Sequence, residues 1–413
     1  MRTDVLILGG GPSGVAAAVG AARLGVETLL VERYGFLGGG ATAALVNPFM
    51  TYSSGGKQII HGFLDDLLKE LGQLEGVDEA GSSFSAEAFK FAADRLCQRA
   101  GAKILFHSVL SDVELSEEDQ AKVSSLKLAS KGGRLEVEAP LFVDCTGDAD
   151  LAYAAGAPCE KGRKEDGLCQ PMTLNFRVGG VDRDRTPSGE EITKLYKRAK
   201  EEGRLDCPRE DVLFFSTLRE DVIHFNTTRI VKKDATDIAQ LSAAELEGRR
   251  QAWAIWEFLR EEVPGFEDSY LERTAAQIGV RESRRVMGHY LLTAEDCLEA
   301  KKFSDGIVRA SYNIDIHNPT GEGTVLKKIP EGDWYEVPYR SLVPKRPSNL
   351  LVGGRPISAT HEAHSSLRVM PIVMGIGQAA GVAAALSVKG GCEPIEVEPK
   401  RLKEKLNEQG AQL

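Results

Sequence analysis

Two histidines, a glutamate and an arginine crowd one short stretch, "THEAHSSLR" (360–368): His361 and His364 stand at i and i+3 around Glu362, and Arg368 follows one turn later. Three chemistries use such a set. A zinc-type site needs three or four ligands, and "HEAH" is one residue short of the HExxH spacing that puts two histidines on one ion. No cysteine lies near, so no metal is expected. An acid–base and anion site needs only an imidazole titrating near neutrality to move a proton, and a guanidinium to hold a carboxylate through paired hydrogen bonds. Plain polar packing in a loop before a helix that starts near Pro371 needs neither. A second group, "RESRR", supplies Arg281, Arg284 and Arg285. On a helix 281 and 285 share a face. They read either as an anion clamp or as surface ion pairs with Glu282 and its neighbours.

The elements that must position these residues begin at the first residues of the chain. "DVLILGG" (4–10) is a short apolar run, "PSGVAAAVGAARLG" (12–25) has helical composition, and "ETLLVER" (27–33) is apolar again. Strand, helix, strand is a βαβ unit with a right-handed crossover and a covered parallel sheet. Its first turn carries Gly9, Gly11 and Gly14 in GxGxxG spacing, with Pro12 and Ser13 inside, and Glu32 closes the second strand. Such glycines let backbone approach a pyrophosphate at the positive end of a helix, while the acid accepts hydrogen bonds from a ribose diol. Gly38, Gly39 and Gly40 provide a second flexible turn, which a longer dinucleotide folded past it would use.

Further along, a helix is expected over 85–100, started by Ser85 and stopped by Gly101. Strands are expected over 103–115 and 135–147. Between 150 and 335 the texture alternates charged helical and β-like pieces, and Ser242 with Glu245 reads as a capping box opening a helix. The strand "NLLVGG" (349–354) then returns, followed by an Ala/Gly-rich helix over 371–388. That stretch is uncharged, yet Pro371, Gln378 and its glycines suit a buried helix rather than a membrane span. A net charge of −10 without a dense basic stripe argues against nucleic acid and anionic lipid as partners. Seven cysteines without a CxxC pair fit a reducing cytoplasm.

Taken together, "VLILGGGPSGVAAAVGAARLG", "FLGGGATAALV", "LFVDCTGDADLA", "IGVRESRRVMGHYLLT", "PYRSLVP" and "NLLVGGRPISATHEAHSSLRVMPIVMGIGQAAGVAAA" resemble the FAD-dependent oxidoreductase family. This is a family of two-dinucleotide-binding flavoproteins allied to the succinate dehydrogenase/fumarate reductase flavoprotein group. The resemblance implies an α/β chain whose Rossmann-like FAD-binding domain is built from 1–150 and 335–413. That domain would be a parallel sheet with helices on both faces and a small β-meander. An α+β substrate or cap domain over 151–334 would be inserted in it.

The resemblance also implies roles. Gly9, Gly11, Pro12, Ser13 and Gly14 would meet the pyrophosphate, Glu32 the adenosine ribose, and Arg33 and the Val109 backbone the adenine. Gly39, Ala41 and Thr42 would approach the flavin and its phosphates, and Thr146, Gly147 and Gly354 would close the cofactor turn. Arg355 stands where relatives carry an acid, a departure that puts the usual ribityl contact in doubt. Val369 and Met370 would present helix amides to the flavin. His361 and Arg368 would face the substrate, with Arg281 or Arg285 clamping it from the cap. The loop 33–50 contains no histidine, which favours non-covalent FAD, and no second GxGxxG unit marks an NAD(P)H domain. The expected activity is hydride transfer between FAD and a small anionic organic substrate, with an external electron acceptor or donor and an open oligomeric state. Two rival functions are a flavin-dependent tRNA-modifying enzyme and a FAD-holding subunit that passes electrons to a partner protein.

Overall fold

The strand, helix and strand expected at the start of the chain form at Val5–Leu8, Pro12–Ala22 and Thr28–Val31 in a computed structural model that describes residues 1–413. Every residue of both strands is buried, as a parallel strand covered on both faces requires. Lys103–Leu105 lies beside Thr28–Val31, Leu141–Asp144 beside Val5–Leu8, and Leu350–Val352 beside Leu141–Asp144, all parallel. The five-stranded sheet is therefore completed by a strand from late in the chain.

Helix Met370–Gly390 packs on helix Pro12–Ala22 through small residues. A Cβ built on Gly377 would lie 2.0 Å from the Ser13 carbonyl oxygen, and one on Gly381 would lie 2.0 Å from that of Ala17. Backbone meets backbone here, which is what the Ala/Gly composition of 371–388 serves. This helix is long and apolar enough to cross a membrane, but 89% of its most apolar window is buried against the rest of the chain.

The helix expected over 85–100 forms at Ala86–Ala100, where Ser85 Oγ accepts from the Ala88 amide and Gly101 ends the helix at φ 87°. Both long strands expected nearby are split. Val109–Leu115 leaves the parallel sheet to form an antiparallel meander with Val123–Ser130 and Gly133–Glu138. The Ser242 capping box does not form. The helix starts at Ile238, capped by Asp237, and Ser242 Oγ instead donates back to the Ile238 carbonyl inside the helix. "RESRR" is not helical either, since Arg284–Val286 is a strand paired with Cys159–Lys161. The segment around His361 is a short helix, His361–Leu367, capped by Thr360, rather than a loop.

The middle of the chain holds a four-stranded antiparallel sheet in the order Phe214–Ser216, Ile223–Phe225, Phe176–Gly179, Tyr270–Thr274. One face of this sheet carries Phe176 and Phe225, which pack with Ile255 and Leu259 of helix Ile238–Glu262 and with Phe266 in a separate core. That core is narrower than the inserted unit expected over 151–334. Val286, Leu292, Ile307, Val308 and Ile314 join the core of the parallel sheet instead.

Candidate active site

The carboxyl ends of the parallel strands open into a cleft of about 1700 Å³, mouth included, the place where an open α/β sheet holds its ligand. Gly9, Glu32, Thr146 and Gly354 follow four of the five strands and all line it. Gly9 adopts φ 98°, and a Cβ there would lie 2.5 Å from the Cys145 carbonyl oxygen. A Cβ on Gly14 would strike the Gly9 carbonyl at 1.8 Å, so Gly14 seats the helix against the turn from behind and does not line the cleft. Gly11 and Gly40, by contrast, face open space in the cleft. Neither Pro12–Ala22 nor Met370–Gly390 has a side-chain cap, so the first-turn amides of both helices are left for an anion or carbonyl of a ligand.

Glu32 is buried, and its two carboxylate oxygens accept from the Gly10 amide at 2.6 Å and the Tyr34 amide at 2.9 Å. The turn after Leu141–Asp144 is fixed by Asp144, which accepts from the Thr146 amide and hydroxyl and from the Ala152 amide. Arg355 lines the cleft and donates to Asp148 at 2.6 Å, so this departure places a cation where the Gly147 backbone turns. A cradle that a Cβ would fill, a buried carboxylate just after the second strand and two uncapped helix starts together fit FAD. Arg33, Gly39, Gly147, Val369 and Met370 also line the cleft, whereas Ala41 and Thr42 are buried behind it. Val109 is 52% exposed and lies outside the lining.

Of the four residues expected to act on substrate, the cleft receives Arg281 and Arg368 but not His361 or Arg285. Arg285 is buried with Glu282: its guanidinium donates to the Glu282 carboxylate and to the Ala359 and Gly162 carbonyls. Glu282 also accepts from the Gln170 amide and meets His361 Nδ1 at 2.9 Å. These three side chains form a closed buried set behind the cleft wall. His364 is fully buried, and burial, reinforced by Arg285 and Arg368, keeps it neutral far below the usual histidine range.

Arg281 donates to the Pro171 carbonyl at 2.8 Å and the Thr173 hydroxyl at 2.5 Å. Burial and the neighbouring Arg368 guanidinium hold its pKa well below the usual arginine value. Arg368 reaches Gln170 Oε1 at 3.4 Å and keeps a buried Nε without a partner. The carboxylate set among them is Asp315, which sequence reasoning missed together with Tyr312 and His317. Tyr312 Oη donates to Asp315 at 3.0 Å, and His317 Nε2 lies 3.5 Å from the same carboxylate. Burial pushes Asp315 up, but His317, Arg368 and Tyr312 outweigh it and hold it below the usual carboxylate range. Burial and Arg281 push His317 down to about 3, and burial with Asp315 pushes Tyr312 up to about 12. Around Asp315 the cleft thus gathers two guanidiniums, Arg281 and Arg368, with the His317 imidazole and the Tyr312 phenol. A signal for these residues exists in "NIDIH": Asp315 and His317 alternate with isoleucines on strand Ile314–His317, so both point to one side.

A parallel sheet ending in glycine turns, with an antiparallel lid carrying charged groups across from them, defines a Rossmann-type flavin-binding enzyme. Residues 4–406 match the family model described as FAD dependent oxidoreductase, and the chain belongs to that family. It is 32% identical over 161 residues to the thiamine thiazole synthase of Methanococcus vannielii, a match covering 36% of this chain and 57% of that one. The same enzyme from Metallosphaera sedula is 31% identical over 168 residues. The chain thus spans just over half the length of these curated relatives. Among solved structures it is similar to OxyS anhydrotetracycline hydroxylase from Streptomyces rimosus, with TM-score 0.50 and 14% identity over 99% of this chain and 66% of that one. It is also similar to the flavin-dependent brominase Bmp2, with TM-score 0.50, 12% identity and 83% of that chain covered. At these identities the likeness is one of fold.

Proposed function

We propose that this FAD-dependent oxidoreductase acts on a small organic anion seated between Arg281 and Arg368, with FAD held non-covalently. The observation that carries the reading is the pair of guanidiniums in the cleft, Arg281 and Arg368, with Asp315 near both and a buried Arg368 Nε left unpartnered. A buried polar group without a partner costs free energy until a ligand supplies one. Bound FAD would supply the exchange of a hydride with the substrate. The protein's own part is orientation and proton handling. Arg281 and Arg368 hold the substrate carboxylate by charge-assisted hydrogen bonds. Tyr312 Oη holds the proton that moves at the reacting centre, and Asp315 and His317 orient it. The absence of histidine from 33–50 supports non-covalent attachment, and seven free cysteines support a cytoplasmic setting.

The test is anaerobic titration of the FAD-loaded protein with carboxylates, hydroxy acids and amines, followed by flavin absorbance. Arg281→Ala and Arg368→Ala are expected to keep FAD stoichiometry while weakening anion binding by roughly tenfold or more, as loss of a charged hydrogen bond does. A protein that takes up no FAD, or variants that bind anions as the parent does, would overturn the reading.

A further inference from the structure

We infer that the substrate anion carries an apolar, ring-sized group on the side away from its carboxylate, so that it is an aryl- or alkyl-substituted monocarboxylate rather than a small dicarboxylate. This rests on the anion reading above. The antiparallel sheet alternates strictly. Phe214, Phe225 and Phe176 pair across one face, toward the core, while Phe215, His224 and Arg177 pair across the other. Leu213 is two residues before Phe215 and so shares its face. Leu213 and Phe215 both line the cleft and stay partly exposed.

Val46, Pro48 and Met50 also line the cleft and are partly exposed, and Asn47 lines it between them while Phe49 is buried in the core. Leu213, Phe215, Val46, Pro48 and Met50 thus present apolar surface to one cleft. The link to the anion site is short. Arg281 reaches Asn226 Oδ1 at 3.4 Å, and the Asn226 backbone amide donates to the Leu213 carbonyl at 2.9 Å. Asn226 therefore joins the guanidinium to the chain segment that carries Leu213 and Phe215. A substituent on an anion held by Arg281 and Arg368 would extend toward this apolar surface.

A second carboxylate has no partner there. The other cations of the cleft, Arg33 and Arg355, lie at the glycine turns. Next to Phe215 in its row is His224, which burial keeps neutral, and Arg177 stands two strands away and outside the lining. Apolar surface left open to water gains from a complementary apolar group in proportion to the area covered.

The experiment uses inert carboxylates that bind without reacting: acetate, malonate and phenylacetate, with benzyl alcohol as the neutral ring, each titrated into the FAD-loaded protein and read by the shift in flavin absorbance. Phenylacetate is expected to bind at least about tenfold more tightly than acetate or malonate. Phe215→Ala and, separately, Met50→Ala are expected to pull that ratio toward one with FAD stoichiometry intact. Arg281→Ala is expected to weaken phenylacetate and acetate alike. If malonate or acetate binds as tightly as phenylacetate while Arg281→Ala still weakens all three, the ring-sized group is overturned and the anion site stands. If benzyl alcohol matches phenylacetate and Arg281→Ala changes neither, the anion reading itself fails.

Discussion

Arg368 and His361 sit on one short helix and end in different places. The arginine reaches the cleft, and the histidine turns to the buried Glu282. The sequence shows that both are polar residues at the right spacing, but which side of a helix of about two turns faces the ligand depends on the partner that meets it. That partner, Glu282, is distant in the chain, and its full burial with Arg285 is a tertiary fact. The consequence is a division of labour that can be measured. Glu282→Ala leaves the Arg285 charge buried with only carbonyl partners and is expected to cost about 3–5 kcal/mol of stability. His361→Ala, which leaves the Glu282–Arg285 pair intact, is expected to cost less and to leave anion affinity near the parent's. Arg368→Ala is expected to do the reverse, with affinity lost and stability kept. Urea unfolding and ligand titration on the three variants decide this, and a large loss of anion affinity in His361→Ala would return the imidazole to the ligand.

Elements whose signals are local were legible. Ser85 and Gly101 bound their helix because an N-cap hydroxyl and a left-handed glycine satisfy backbone groups within a few residues. The GxGxxG turn was legible for the same reason, and the returning strand Leu350–Val352 because a fully apolar run has no other place than a covered sheet. Ser242 and the arginines of "RESRR" were misread because a better competitor was nearby. Asp237 caps the helix one turn earlier, and pairing with Cys159–Lys161 draws Arg284–Val286 into a strand. Helix contact adds a sharper test. Gly381→Ala would push a methyl into the Ala17 carbonyl, with backbone on both sides and nothing flexible to give. The expected cost is about 1–3 kcal/mol, together with weaker FAD binding, since both helix starts frame the cleft. Gly72, inside helix Phe63–Gln73, has nothing within reach of an added Cβ. Gly72→Ala is expected to be neutral or stabilising by up to about 1 kcal/mol, through helix propensity alone. Thermal melts of the two variants separate packing from propensity, and equal shifts would refute the close helix contact.

Across the whole molecule, three histidines in three surroundings are kept neutral by burial: His224 within the antiparallel sheet, His317 at the anion site and His364 on the short helix His361–Leu367. A histidine whose folded pKa is depressed stays unprotonated in the native state while the unfolded chain takes up a proton. Stability is then full above the unfolded value near 6.5 and falls as pH drops from there toward the folded value, about 3 for His224 and His317. Asp144 works against this, because burial raises its pKa and lets the native state bind a proton. The total slope mixes these signs, so the difference between two proteins is the cleaner quantity. His224 has both ring nitrogens buried without partners, so His224→Leu removes a titrating group and no hydrogen bond. Between about pH 7 and about pH 5 one such histidine accounts for about 2 kcal/mol of lost stability. The variant is therefore expected to lose that much less than the parent over the same interval, read from urea midpoints at both pH values. Parallel losses in parent and variant would mean that His224 is protonated in the folded protein, and that the face it shares with Phe215 carries a charge after all.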